Sequence, residues 1–399
     1  MTSAALKQAP AELRVEVVAG RDGFVQLERA WNEALSRGPH DEPMLRHEWI
    51  RAWIENFAPG ATLRTFVARA GREIVAAVPL IETRDRNADT CFVPMTTWQT
   101  PDNDHSQRGG VLLGRRGEEG LALIWEILKS TPGWDRLRLR DLPEGAPEWQ
   151  LRDLATQAGF PCGTWVSLRS PYLALPKAAA QAPGAGGKKK PAQIASAYEQ
   201  IEAALDGKFR QNLRRRKRRL AEQGKVEYAV QGGKDAAALD VALADFFDVE
   251  ASGWKGQDGT AIAQRPELVG FYTQIARDAA KRGALALGKL TLDGKTIAAH
   301  LSVVHAGRHY LIKIGYDESL HEHSPGQQMA SFAIEDSCKR GLSEFDFLGP
   351  CMEWKLDWES RLRTHQWLTI FRPTRAGKLV HAARFTAWPI VRALLKREN

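Results

Sequence analysis

The sequence predicts a mixed α/β protein (mixed α+β) of two similar units in tandem, each a central mixed sheet flanked by helices. Three observations carry that expectation: a duplicated hairpin, a matching order of elements around each copy, and a core-poor stretch between them. At roughly 100–200 residues per domain, the 399 residues suit such a division.

The first hairpin is LRTFVARAGREIVAAVPLI, from Leu63 to Ile81, with its turn at Ala70-Gly71-Arg72. The second is LALGKLTLDGKTIAAHLSVV, from Leu285 to Val304, turning at Asp293-Gly294. Asp-Gly between alternating apolar residues is a strong short-range hairpin signal. A Trp-bearing helical stretch precedes each copy, around Trp49–Trp53 and Asp245–Trp254. A helix running into a strand follows each, LALIWEILKSTPGWDRLRLRDL from Leu121 and ASFAIEDSCKRGLSEFDFLGP from Ala330. Between the copies, PKAAAQAPGAGGKKKPAQ is too rich in Pro, Ala, Gly and Lys to build a core. The expected domains are therefore 12–175 and 195–373, joined by a flexible linker at 176–194 and followed by a helical tail at 374–399.

Composition excludes several classes. The hydrophobic share of 43% and charged share of 26% are those of an ordinary globular chain. No apolar run approaches the ~18 residues of a spanning helix. The N-terminus lacks an apolar signal core, so a cytoplasmic protein is expected, with the inner membrane face as a possible station. Cys91, Cys162, Cys338 and Cys351 are widely spaced, which predicts buried free thiols and no metal site.

The net charge of +8 has a single origin. From Lys208 to Arg219 the chain reads KFRQNLRRRKRR, with eight basic residues and no acidic one. Leu205, Phe209, Leu213 and Leu220 recur at helical spacing within an arc of about 80°. This predicts a helix with one buried edge, ended by Gly224 as a C′ residue and followed by a strand at KVEYAV. An anionic ligand, an anionic membrane surface and nucleic acid compete here with a plain solvated face.

Only the second copy carries a candidate site. After the strand HYLIKIGYD comes the polar loop SLHEHSPGQQ and a helix from about Gly326 to Lys339, with Ser324 at the N-cap and Pro325 at N1. A strand, a short loop and a helix N-terminus form an anion cradle, weighed against a plain cap. In the next strand, EFDFLGP, Asp346 points away from Phe345 and Phe347, as a structural acceptor or as a functional group. Lys355 lies between Trp354 and Trp358, either snorkelling or held as a cation at a site. His300 on the second hairpin is a core residue or a base; His321 and His323 sit in the loop.

These motifs resemble the acetyltransferase domain of the CelD/BcsL family, within the GNAT superfamily. The residues that carry the likeness are LTLDGKTIAAHLSVV, HYLIKIGYDE, SPGQQMASFAIEDSCKRGLSEFDFLGP and the WK..W of Trp354, Lys355 and Trp358, over about 205–372. KFRQNLRRRKRRLAEQGKVEY is also similar to the start of the second domain of FemAB-type peptidyltransferases, which are tandem GNAT units. The resemblance implies acyl transfer from acetyl-CoA or another acyl-CoA, without a metal, to an amine or hydroxyl of a small-molecule or glycan-precursor acceptor. A cell-envelope or exopolysaccharide (cellulose-type) precursor is the acceptor it suggests. The alternatives are a Fem-like transfer from aminoacyl-tRNA, with the basic helix holding the tRNA, and an inactive GNAT pair serving as a scaffold.

Carried onto this chain, Ser324, Pro325, Gly326, Gln327 and Gln328 would hold the donor's diphosphate, while Ile314 and Gly315 would pair with its pantetheine arm. Tyr316 is the candidate acid for the thiolate, and His300 the candidate base. Asp346 and Lys355, with Trp354 and Trp358, are expected on the acceptor side. The loop HSPGQQMA is poorer in glycine than the usual GNAT phosphate loop. The first copy lacks an SPG loop but carries a long insertion, FVPMTTWQTPDNDHSQRGG. From it Trp98, Asp102, Asp104 and His105 are expected to help form the acceptor groove.

Overall fold

The computed structural model describes residues 12–177, 196–252 and 259–387. The chain forms two compact units. Unit 1 takes the chain up to Ile54, Ala58–Ser167 and the stretch from His365 on; unit 2 takes Glu55–Phe57 and Leu168–Thr364. Trp254, the body of the expected linker and the end of the expected tail lie outside the described residues.

In unit 1 the strands β1 (Leu13–Ala19), β2 (Leu63–Ala70), β3 (Glu73–Asp85), β4 (Met95–Gln99) and β6 (Arg136–Pro143) lie side by side in that order, and β5 (Leu112–Leu113) pairs with β3. The sheet is mixed, because β4 and β6 run parallel whereas β1, β2 and β3 are antiparallel neighbours. The expected hairpin is present, with Leu63 opposite Ile81 and Gly71 at φ +61° in the turn. The helix Gly117–Ser130 packs its apolar stripe on this sheet. Leu121, Ile124, Trp125 and Leu128 join Phe66, Val78, Leu137 and Leu139 in one core.

Unit 2 contains the second hairpin as β9 (Leu285–Leu292) and β10 (Lys295–His305). Asp293 and Gly294 both adopt positive φ, +49° and +81°, as a tight two-residue turn requires. The order is β12 (Glu344–Asp346), β11 (Arg308–Tyr316), β10, β9, β8 (Val226–Gln231), and β12 runs parallel to β11. The helices Ala197–Ala204, Gly207–Gln223, Ala236–Ala251, Pro266–Lys281 and Pro325–Lys339 complete the unit. Both units thus have the expected mixed sheet with helices.

The boundaries fall elsewhere than composition suggested, inside two long strands. β7 (Cys162–Ala174) passes from unit 1 to unit 2 after Ser167, and its last residues pair with β12, Ala174 opposite Glu344. β13 (Arg361–Phe371) passes back after Thr364, and His365 to Phe371 pair with β6. Backbone pairing assigns a strand to its sheet, and side-chain composition does not reveal which sheet supplies the partner. The helix Arg375–His381, expected as a separate tail, therefore belongs to unit 1.

Two local expectations are corrected. Gly224 ends the basic helix in an extended conformation (φ 167°), not a left-handed one. Its lack of a side chain answers to crowding, since a Cβ there would lie 2.2 Å from Asp293 Oδ2. All four cysteines are free thiols, but none is buried: Cys91 and Cys351 are exposed, and Cys162 and Cys338 are partly so.

Candidate active site

The site is built where β11 leaves β12. These parallel strands pair only over Arg308–Glu344, His309–Phe345 and Tyr310–Asp346. β11 then continues to Tyr316 on β10, whereas the backbone after β12 turns away through Leu348 and Gly349, both at positive φ. After β11 a short 3-10 stretch, Glu318–His323, is capped by Asp317 and leads into the helix Pro325–Lys339.

Ser324 stands at the N-cap position, in the left-handed region at φ +47° and ψ +59°. Its side chain caps nothing. Instead Ser324 Oγ accepts a 2.6 Å hydrogen bond from Arg216 Nη1, on the basic helix. Pro325 has no N–H, and the N–H groups of Gly326 and Gln327 have no carbonyl a turn behind them. The positive end of a 15-residue helix thus points at the same spot as a guanidinium. Gly326 gives its neighbour room: a Cβ there would press on the Tyr316 ring at 3.0 Å, tighter than ordinary contact. Tyr316 itself is 36% exposed, and burial of its remainder raises its phenol pKa, so it is protonated at neutral pH. Arg216, Ser324, Gly326 and Tyr316 therefore form one partly open cluster that can hold an anionic group beside a proton donor.

Several expected ligands serve the protein instead. The Gln327 amide donates to Trp354 O and Asp357 Oδ2 and accepts from Trp358 Nε1. Gln328 is buried and donates to His323 O. The Gln328 N–H is spent on Ser324 O, so of these two glutamines only the Gln327 backbone is left to face an anion. Gly315 lies beneath the helix Ala236–Ala251, where a Cβ would approach Glu250 Cα to 2.6 Å. Ile314 is partly buried where two apolar clusters meet, one with Leu311 and Ile334 and one with Leu290 and Met329.

His300 is corrected from base to core residue. It is wholly buried, with Nδ1 2.8 Å from Ser302 Oγ and Nε2 3.1 Å from Tyr228 OH. Burial lowers its pKa to about 3, so it is neutral and has no access to an acceptor. The ring also explains Gly288, whose Cβ would strike His300 Nε2. His309, buried beside it, shares Ser337 Oγ through Nδ1 and is likewise held neutral by burial. His309 and Tyr228 were not legible as partners in the sequence, because strand alternation marks which face a residue takes, not which polar neighbours await it.

Asp346 and Lys355 turn out to secure the turn after β12. Asp346 is fully buried; its Oδ1 accepts from Leu348 N, and its Oδ2 from Arg363 Nη1 at 2.8 Å. Arg363 also bridges to Glu344 and lies over the Tyr172 ring. Lys355 Nζ donates to the carbonyls of Leu348 and Pro350. Burial lowers the Lys355 pKa to about 8, against the opposing pull of Asp346. Trp358 is buried edge-on to Phe209, and Trp354 is half-buried against Phe347, so the tryptophans are packing residues.

In unit 1 the insertion is mostly interior. Trp98 is 2% exposed, tilted against Phe66 with the Arg64 guanidinium over its ring, and so it is core and not a groove residue. Asp102 is buried and accepts from Thr100 Oγ1; burial raises its carboxyl to about 7, opposed by Arg140. Asp104 is exposed and pairs with Arg140, while His105 is half-exposed. The four are not one constellation.

The two parallel strands that part, and the helix N-terminus beyond them, define the class: unit 2 carries the GNAT-type acyltransferase fold. Residues 207–356 match the family model described as an acetyltransferase (GNAT) domain. The fold is similar to that of FemX, at 10% identity over 86% of this chain and 96% of that one, with a TM-score of 0.57. It also matches the C-terminal domain of a putative lysylphosphatidylglycerol synthetase from Agrobacterium fabrum, at 10% identity over 90% and 96%, with a TM-score of 0.50. A tandem GNAT protein from the clavulanic acid biosynthesis pathway aligns at 13% identity over 90% and 100%, with a TM-score of 0.44. No curated protein matches the chain.

Proposed function

We propose that the protein is an acyltransferase that takes its acyl group from a coenzyme A thioester, acetyl-CoA in the simplest case. Its acceptor is an amine or hydroxyl of a cell-envelope or exopolysaccharide precursor, the class suggested by the CelD/BcsL resemblance. The observation that carries the reading is the Arg216–Ser324 contact at the start of the helix Pro325–Lys339. It brings a guanidinium to first-turn N–H groups beside the point where β11 and β12 diverge. That donor set fits a diphosphate, because Arg216 spends one N–H on Ser324 and keeps others for an anion.

In this reading the acceptor's nucleophile attacks the thioester carbon, the C–S bond breaks, and the nucleophile's proton passes to solvent, from which Tyr316 is later reprotonated. Tyr316, protonated and partly exposed against Gly326, supplies the proton to the departing thiolate. The second reading, transfer from aminoacyl-tRNA, draws support from the FemX fold and from the basic helix.

Calorimetric titration with acetyl-CoA tests the first reading. Wild type is expected to bind, Arg216→Ala about 10–100-fold more weakly for the loss of a charge-assisted contact, and Gly326→Trp not at all. Tyr316→Phe should keep binding and lose about 100-fold in kcat. Equal binding by all variants, or wild-type binding to aminoacyl-tRNA alone, overturns the coenzyme A reading.

A further inference from the structure

The eight bases of the helix Gly207–Gln223 divide by what they touch. Arg214 pairs with Glu202, Arg216 reaches Ser324, and Arg210 donates to the carbonyls of Glu202 and Ala203. Lys217 covers the Phe332 ring at 4.3 Å, and Arg218 lies 3.7 Å from Glu222. Among the described residues, Lys208, Arg215 and Arg219 have no such partner, and all three are exposed. At 100° per residue they fall within an arc of about 40° and span about 16 Å along one side of the helix. They form a straight row of uncompensated positive charge, set apart from the buried edge of Leu213 and Leu220.

We propose that this row is a docking surface for an anionic lipid membrane. A straight row on a rigid rod presents all three charges to a flat anionic surface at once. The exposed arc around it holds Gln211, Arg218 and Glu222 and has no aromatic on which bases could stack, which favours lipid over nucleic acid. The stretch before Trp358, whose ring meets Phe209 of the basic helix at 5.5 Å, exposes apolar side chains. Met352 is 47% exposed and Leu356 41%. Apolar side chains beside cations are what an interfacial contact uses. Docking would place the Arg216 face of the same helix, and with it the candidate donor site, next to the bilayer.

Sedimentation with vesicles of phosphatidylcholine plus phosphatidylglycerol, against phosphatidylcholine alone, tests this without any assay of transfer. Wild type is expected to bind the anionic vesicles only, and to release as salt rises. The triple variant K208Q/R215Q/R219Q should partition about 100-fold more weakly, at roughly tenfold or less per base. A control, R72Q/R115Q/K234Q, loses the same charge from exposed bases elsewhere and should bind like wild type. Circular dichroism of each variant confirms that it is folded. Equal binding by the two triple variants overturns the proposal, as does failure of wild type to bind anionic vesicles. Tight binding to RNA that the first triple variant alone loses overturns it too, by assigning the row to nucleic acid.

Discussion

Replacing Arg363 by methionine is expected to destabilise unit 2 by about 3 kcal/mol or more, the order seen when one partner of a buried ion pair is removed. Arg363 is 23% exposed by side chain, but its partner Asp346 is wholly enclosed, and so its carboxylate would be left without its guanidinium. Glu344 loses the same partner. Asp346→Asn keeps an oxygen for Leu348 N and should cost less. The double variant should be more stable than Arg363→Met alone, because the buried charge that lost its guanidinium is gone. Denaturant unfolding of the three proteins reads this directly. If Arg363→Met unfolds like wild type, the pair is not what holds the turn after β12. The same geometry bears on activity: loss of function in an Asp346 variant would report the turn, and only Tyr316 and Arg216 variants with unaltered unfolding speak to chemistry and donor binding.

The second large effect is acid lability. His300 and His309 are buried and neutral, with folded pKa values below the unfolded value near 6.5. The unfolded chain therefore binds protons that the folded one refuses. Stability is complete above about pH 6.5 and falls steadily as pH drops towards the folded pKa, about 3 for His300. Between pH 6.5 and pH 5 His300 alone should remove roughly 2 kcal/mol, with His309 acting in the same direction. The melting temperature is expected to fall clearly from pH 7 to pH 5. His300→Gln/His309→Gln, which keeps donor and acceptor without a titrating ring, should show a shallower fall. A pH-independent wild-type melt would mean that the histidines are hydrated and accessible.

The sequence alone determined whatever depends on local chemistry. Asp293-Gly294 dictates a tight turn because both positions need positive φ. The 3.6-residue spacing of Leu213 and Leu220 dictates which edge of the basic helix is buried. Two hairpins with the same flanking elements dictate two units of one fold, and the SPG string placed the start of the helix Pro325–Lys339 to within a residue.

Tertiary structure decided what each polar residue does. His300, Asp346, Lys355, Gln327, Trp98 and Trp358 were legible as unusual, yet their roles depend on partners far away in sequence. Tyr228 meets His300, Arg363 meets Asp346, and Trp358 meets Gln327. Arg216 is the converse case. In the sequence it is one arginine in a run of eight bases, and only packing turns it onto Ser324 while Lys208, Arg215 and Arg219 face outward. Domain limits likewise escaped composition, since β7 and β13 each pass from one unit to the other mid-strand. Turn type and helix phase are set by a few consecutive residues. A buried polar group takes its role from whatever the fold brings within 3 Å of it, which no window along the chain contains.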